Sequence, residues 1–320
     1  MNLAIITDSA CDLAVSFIED YQIEVLPVKI IKGEKIFYDN KDNNFITEIR
    51  EDLKVNGKHY KTQPLNVDEI KEYLLKLFSS NPNETYLFLL SNSTRSETYN
   101  NVIQVLSKSL HEIRAVRQKN GLKPNIKFEI IDSQQLSSGM GVLITEIIYN
   151  AKKNVEFEEI IEKINQSILF TQALLIPDKL SQLYNQAGTK VDNSVGFGSY
   201  ILGTALDIKP IIQCYKGVTR SIDKIKGFDK ALEMIIKLLI SDIRNNRLKF
   251  KSISISYGGD SVKRKELIES SSYIKLRTIA DENQVGITLS KMGATMMVNV
   301  GVNAIAIGYI SSNIINPEEN

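Results

Sequence analysis

Between residues 4 and 151 the chain alternates short apolar runs with stretches of helical periodicity, and this alternation constrains the fold more than any other feature. Ala4–Ile6 reads as a buried strand, Leu13–Tyr21 as a helix and Ile23–Ile31 as a second strand with alternating apolar positions. Val67–Ser79 places Ile70, Tyr73, Leu74 and Leu77 on one helical face, with Asn66 or Asp68 as its cap. Tyr86–Leu90 and Ile126–Ile131 follow as strands, Glu97–Leu110 and Gly139–Ala151 as helices. Strands separated by helices predict a mainly parallel sheet covered on both faces. In such a sheet the ligand crevice lies at the loops after the strand C-termini. The loops holding Asp8-Ser9, Ser91–Ser96 and Asp132-Ser133 belong to that set.

A charged break at Lys152-Lys153-Asn154-Val155 divides the chain into two expected α/β domains, residues 1–155 and 156–320. The second reads as helices over Phe157–Ser167, Phe228–Ile243 and Val262–Ser271, with strands at Leu169–Leu175, Ile211–Tyr215, Ser252–Tyr257, Met296–Val300 and Ala304–Ile310. Asn313–Asn320 reads as a frayed tail.

A hydrophobic fraction of 43% and a charged fraction of 24% are those of an ordinary globular chain with a well-buried core. The formal net charge of +1 gives no bulk attraction to nucleic acid or an acidic membrane surface. No run approaches the roughly 18 apolar residues of a membrane span, and no basic region followed by an apolar core opens the chain. Cys11 and Cys214 stand far apart and outside any metal-ligand spacing, so a reducing, cytoplasmic setting is expected. With only His59 and His111, both in charged contexts, a multi-histidine metal site is excluded and solvated histidines are expected.

Leu89-Leu90-Ser91-Asn92-Ser93-Thr94-Arg95-Ser96-Glu97-Thr98-Tyr99 ends an apolar run in a cluster of hydroxyl and amide side chains just before a helix. Such a turn presents backbone N–H groups and side-chain donors to an anion or a carboxyl head group; it also suits an ordinary helix cap. Asp8 follows a buried strand, but position 10, where an aspartyl-phosphate enzyme needs an acid, is Ala10; Asp8 and Asp12 read more simply as caps of the next helix. The glycines of Gly139-Met140-Gly141 and Tyr257-Gly258-Gly259-Asp260 give neither G-x-G-x-x-G nor a P-loop lysine. Thr62, in Lys61-Thr62-Gln63-Pro64, precedes a proline-fixed turn that can hold its hydroxyl in place.

Five stretches in register, Thr7-Asp8-Ser9-Ala10-Cys11-Asp12-Leu13, Lys61-Thr62-Gln63-Pro64, Ser91–Tyr99, Asp132-Ser133 and Ile208-Lys209-Pro210-Ile211, resemble the T-D-S-x-x-D-L, T-S-Q-P, S-S-x-L-S-G-T-Y, D-S and I-K-P-I stretches of the DegV family. The resemblance covers essentially the whole chain. It implies a two-domain α/β fold, with a mainly parallel sheet in the N-terminal domain and a C-terminal domain of mixed α/β structure, and a long-chain fatty acid between them. Its tail lies in an apolar tunnel, and the carboxylate is held by Thr62 and Ser93, with Asn92, Ser96, Lys226 and Asn299 completing the ligand-binding set. Neutral donors satisfy a carboxylate at less cost than a cation buried deep in the protein. No cofactor is implied beyond the fatty acid ligand.

The resemblance also implies a fatty acid kinase as partner, and here the chain departs from the family. The arginine of G-G-R-I falls on Thr189 in Gln186-Ala187-Gly188-Thr189-Lys190, K-x-R appears as Lys224-Ile225-Lys226, and the histidine of H-x-G-P-G falls on Asn299. The glycine before Thr-Tyr is Glu97. Lys226 keeps charge without the bidentate fork, and Asn299 keeps hydrogen bonding without titration. Ligand carriage without chemistry is therefore the expected function. The rivals are a small-molecule transferase working at an Asp8, Ser93 and Asp132 crevice, and a degenerate interaction module.

Overall fold

Leu3–Asp8 (β1), Thr85–Leu90 (β6) and Lys127–Asp132 (β7) are short runs rich in Ile, Leu, Phe and Tyr, and β1 and β6 are buried along almost their whole length. Near-continuous apolar strands of this kind require cover on both faces. In the computed structural model, which describes residues 3–178 and 207–315, they form with Glu24–Leu26 (β2) a four-stranded sheet in the order β2-β1-β6-β7, every pair parallel. The expected parallel sheet is thus present, and the loops after β1, β6 and β7 leave it at one edge.

Val15–Asp20 (α1), Val67–Ser80 (α3) and Thr98–Lys119 (α4) connect these strands. Asn66 caps α3, accepting from the Glu69 N–H, while Glu69 reaches back to the Asn66 N–H, a reciprocal capping box. The strand expected over Ile23–Ile31 is broken at Pro27, which donates no ladder hydrogen bond. Its first part is β2; its second, Lys29–Lys32 (β3), joins a separate antiparallel sheet with Lys35–Tyr38 (β4) and Tyr60–Gln63 (β5), in the order β4-β3-β5. Asn43–Asn56 (α2), capped by Asp42, lies between β4 and β5.

The second sheet has six strands in the order β10-β9-β8-β13-β11-β12, built from Thr171–Ile176 (β8), Ile208–Tyr215 (β9), Val218–Lys226 (β10), Leu248–Tyr257 (β11), Gly286–Lys291 (β12) and Ile305–Ser311 (β13). Only β11 and β12 run parallel, so the sheet is mixed; strands and helices share this half, as expected. Phe228–Arg244 (α7), Ser261–Glu269 (α8) and Ser271–Glu282 (α9) flank it. The helix expected over Val262–Ser271 is present as α8; α9, which was not expected, begins directly after Ser270, whose hydroxyl donates to the Leu267 carbonyl and accepts from the Tyr273 N–H. Met296–Val300, expected as a strand, belongs to a helix, Ala294–Val300 (α10). A short apolar run buried all round has the same pattern in either conformation.

Ser138–Lys152 (α5) explains how the sheets come together. Met140, Val142, Leu143, Ile144 and Ile147 are wholly buried, and the helix packs against β8, β11 and β13 on one side and β6 on the other, with Phe157–Ile168 (α6) beside it. One apolar core therefore includes Ile5, Leu87 and Leu89 of the first half and Met296, Val298 and Ala306 of the second.

Candidate functional site

Each loop at the edge of the parallel sheet is held by a buried polar side chain. Asp8 accepts from the Ala10 N–H at 2.9 Å and from the Ser91 N–H at 2.7 Å, tying the loop after β1 to the loop after β6. Burial pushes its carboxyl up, and these N–H donors oppose the shift. Neither Asp8 nor Asp12 caps α1, which begins after Ala14 without a side-chain cap; that expectation is corrected.

Asp12 instead reaches the second half of the chain. Its Oδ2 accepts from Ser137 Oγ at 2.6 Å and Ser256 Oγ at 2.9 Å, and its Oδ1 from the Gly293 N–H at 2.8 Å, with Lys41 Nζ at 3.5 Å. Asp39 accepts from the Thr295 N–H at 2.8 Å and the Thr295 hydroxyl at 2.6 Å. The two carboxylates thus grip the first residues of α10 and its approach. All of these groups are buried, Lys41 included. Burial opposes the charge of Lys41, but Asp39 and Asp12 outweigh it and hold the ammonium above the ordinary lysine range. A buried cation is therefore present after all, compensated by two carboxylates. Sequence reasoning missed Asp39, Lys41 and Thr295, because Asp39-Asn40-Lys41-Asp42-Asn43 has the composition of a solvated loop.

At the far end of the same helix, Asn299 meets Thr62. Its Nδ2 donates to the Thr295 carbonyl at 2.7 Å and lies 3.2 Å from Thr62 Oγ1. Thr62 is positioned by strand pairing, opposite Ile30 of β3, more than by the proline two residues on.

The Ser91–Ser96 loop is held from two sides. The Ser93 N–H and hydroxyl both reach Asp132, the hydroxyl at 2.5 Å from Oδ2, and Asp132 also accepts from the Gln134 N–H at 2.9 Å. Asn92, wholly buried, donates from Nδ2 to the Gly217 carbonyl at 2.7 Å, while its Oδ1 accepts from the Thr94 N–H at 3.0 Å. Ser96 accepts from the Thr98 N–H at 3.3 Å, one residue before Glu97, the N-cap of α4, which has no side-chain cap hydrogen bond. The structure thus joins Thr62 with Asn299 and Ser93 with Asp132. It does not bring Lys226 to Ser93. Lys226 is exposed at the end of β10 remote from the Gly217 turn, roughly 25 Å away at the ordinary strand rise. Thr189 lies outside the described residues. His59 and His111 are both exposed, as expected, and among the described residues no group of three or more His, Cys, Asp or Glu side chains could hold a metal ion. No helix among the described residues is long and apolar enough to cross a membrane.

The DegV family model, described as one of uncharacterised proteins, matches residues 2–312. The chain belongs to the DegV family. A DegV domain-containing protein of Xanthomonas axonopodis pv. citri is 30% identical over 310 residues, covering 97% of each chain. The DegV fold is shared with a stearic acid-binding protein of Eubacterium ventriosum (TM-score 0.76, 18% identity, 99% of this chain and 100% of that one). It is shared also with a DegV protein of Eubacterium eligens loaded with heptadecanoic acid (TM-score 0.73, 18% identity, 97% and 100% covered).

Proposed function

We propose that this DegV protein binds a long-chain fatty acid between two domains divided near residue 155, with its carboxylate held by the hydroxyls of Thr62 and Ser93, the Ser93 proton turning from Asp132 to the ligand. The observation that carries the reading is the amide of Asn299 beside Thr62 Oγ1. The Asn299 amide nitrogen fills a lone pair of Thr62, and the threonine proton has as its acceptor Asn299 Oδ1 at 3.4 Å, a long contact that a carboxylate can replace. The solved DegV structures with stearic and heptadecanoic acid support the choice of ligand. The tail supplies the affinity, at about 0.8 kcal/mol per buried CH₂. Asn92 and Ser96 serve by shaping the loop around Ser93. The protein acts as a carrier, handing its lipid to a partner such as a fatty acid kinase. With Thr189, Lys226 and Asn299 in place of the family's arginines and histidine, it presents the acid poorly to a typical kinase of this kind.

Mass spectrometry of lipids extracted from the denatured protein tests the reading: a co-purifying saturated or unsaturated acyl chain is expected, and displacement of a fluorescent fatty acid gives its affinity. A protein that carries no lipid and displaces no probe refutes it. The contact between Ser93 and Asp132 favours a second reading, a serine transferase in which Asp132 takes the hydroxyl proton. Substrate turnover lost in both Ser93→Ala and Asp132→Asn selects that reading.

A further inference from the structure

The hairpin between β9 and β10 turns through Lys216 and Gly217, with φ of 47° and 76°. Two successive positive φ values mark a type I′ turn, the tight connection that matches strand twist and favours glycine. Lys216 is exposed, but Gly217 is buried, because the turn is pushed into the first half of the molecule.

Five contacts seat it there. The Gly217 carbonyl accepts from Asn92 Nδ2 at 2.7 Å and lies 3.0 Å from Thr94 Oγ1. The Gly217 N–H donates to the Gln134 carbonyl at 3.1 Å, and the Cys214 thiol lies 3.7 Å from that same oxygen. One residue beyond the turn's last strand pair, the Arg95 guanidinium reaches the Thr219 hydroxyl. Asn92 and Thr94 flank Ser93 on either side, and Gln134 stands two residues after Asp132, the partner of Ser93. The turn therefore touches both loops that hold Ser93 without touching Ser93. There is no room to spare: a Cβ on Gly217 would lie 3.2 Å from Asn92 Oδ1 and 3.7 Å from its Nδ2.

We propose that the Lys216-Gly217 turn is a latch from the second sheet that fixes the Ser91–Ser96 loop, making Gly217 and Asn92 positioning residues for head-group recognition. The proposal rests on the fatty acid reading above. A hydroxyl bound to a carboxylate must sit within a few tenths of an ångström of its place, and a loop of six polar residues holds that place only while its buried amide has a fixed partner. The latch acts on the acid head alone; the tail is recognised elsewhere by apolar burial.

The test measures the affinity of wild type, Gly217→Asn and Asn92→Ala for a long-chain fatty acid and for its methyl ester, which keeps the tail and lacks the carboxylate. Asparagine tolerates positive φ, so Gly217→Asn keeps the turn while its side chain displaces Asn92. Each variant is expected to bind the acid at least tenfold more weakly than wild type and the ester unchanged. Equal loss for both compounds, or acid affinity unchanged in both variants, overturns the proposal. A wild type that binds neither compound overturns the fatty acid reading and the latch with it. Should Gly217→Asn fail to fold by thermal unfolding, Asn92→Ala with Thr94→Val carries the same expectation, since together they remove both side-chain contacts to the Gly217 carbonyl.

Discussion

Asn299 places its amide nitrogen 3.2 Å from the hydroxyl of Thr62 across a separation of 237 positions, so that the last turn of a short helix from the second half meets a strand from the first. The helix is held there by carboxylates at its other end, Asp12 on the Gly293 N–H and Asp39 on Thr295. The geometry of Thr62 thus depends on residues that never approach it.

Removing the Thr62 hydroxyl leaves a bound carboxylate one donor short. Thr62→Val and Ser93→Ala are each expected to weaken fatty acid binding by about 1–3 kcal/mol while the protein stays folded. Thr62→Ser, which keeps the donor, loses less. Displacement of a fluorescent fatty acid is the measurement, and identical affinities in wild type and both donor-deleted variants refute the head-group assignment.

Truncating Asp12 leaves the buried Lys41 ammonium with only one of its two carboxylates, Asp39. Asp12→Ala is expected to destabilise the fold by about 3–5 kcal/mol, because Lys41, two serine hydroxyls and the Gly293 N–H lose their shared acceptor. Urea denaturation followed by circular dichroism reads the midpoint. A shift corresponding to less than about 1 kcal/mol shows that the network relaxes without it.

Glu146 of α5 is buried with its Oε2 unpartnered, and burial pushes its carboxyl up to about 7 against weaker opposition from Ser167 and Lys163. In the unfolded chain the group ionises near 4.5, so between about 4.5 and 7 the unfolded state binds fewer protons and stability falls as pH rises. Above the folded value the loss levels off. At about 1.4 kcal/mol per pH unit the total is about 3 kcal/mol. Glu146→Gln is expected to flatten this slope and to be the more stable protein at pH 8, as read by denaturant midpoints across the range; parallel pH profiles for the two proteins contradict it.

Arg117 is wholly buried on α4 and donates to the carbonyls of Lys123, Asn81 and Asn83 and to the Tyr86 hydroxyl. Arg117→Met fills much of the same volume but leaves these acceptors unpaired, and is expected to cost about 3 kcal/mol or more. Fatty acid affinity of the folded fraction should be unchanged, since the residue lies on the side of the sheet packed by α3 and α4. Thermal unfolding with parallel binding measurements separates the two effects.

The parallel sheet was legible in the sequence because its determinants are local. Runs such as Tyr86–Leu90 can be satisfied only by a covered strand, and the capping box at Asn66 and Glu69 marks the start of α3 within four residues. The α/β character of the second half followed from the same kind of signal, and the five stretches that resemble DegV led to the family now matched across residues 2–312. Where local pattern is degenerate the reading failed: Met296–Val300 is equally apolar as strand or helix, and its helical state is set by carboxylates from residues 12 and 39.

What the sequence determined by itself was the strands and helices of the parallel sheet and the polar loops at one edge of it, all read from local patterns; α2, β4, β5, β10, β12 and α9 emerged only with the fold. Only the tertiary structure decided the partners of the polar side chains. Asp12 reads as a helix cap and becomes the anchor of a helix 281 positions away; Asn92 reads as a ligand donor and spends its amide on Gly217; Lys41, missed in a stretch with the composition of a solvated loop, is buried between two carboxylates. The physical reason is that a buried polar group must find a partner wherever the fold puts one, and spacing along the chain carries no record of which groups packing will enclose together.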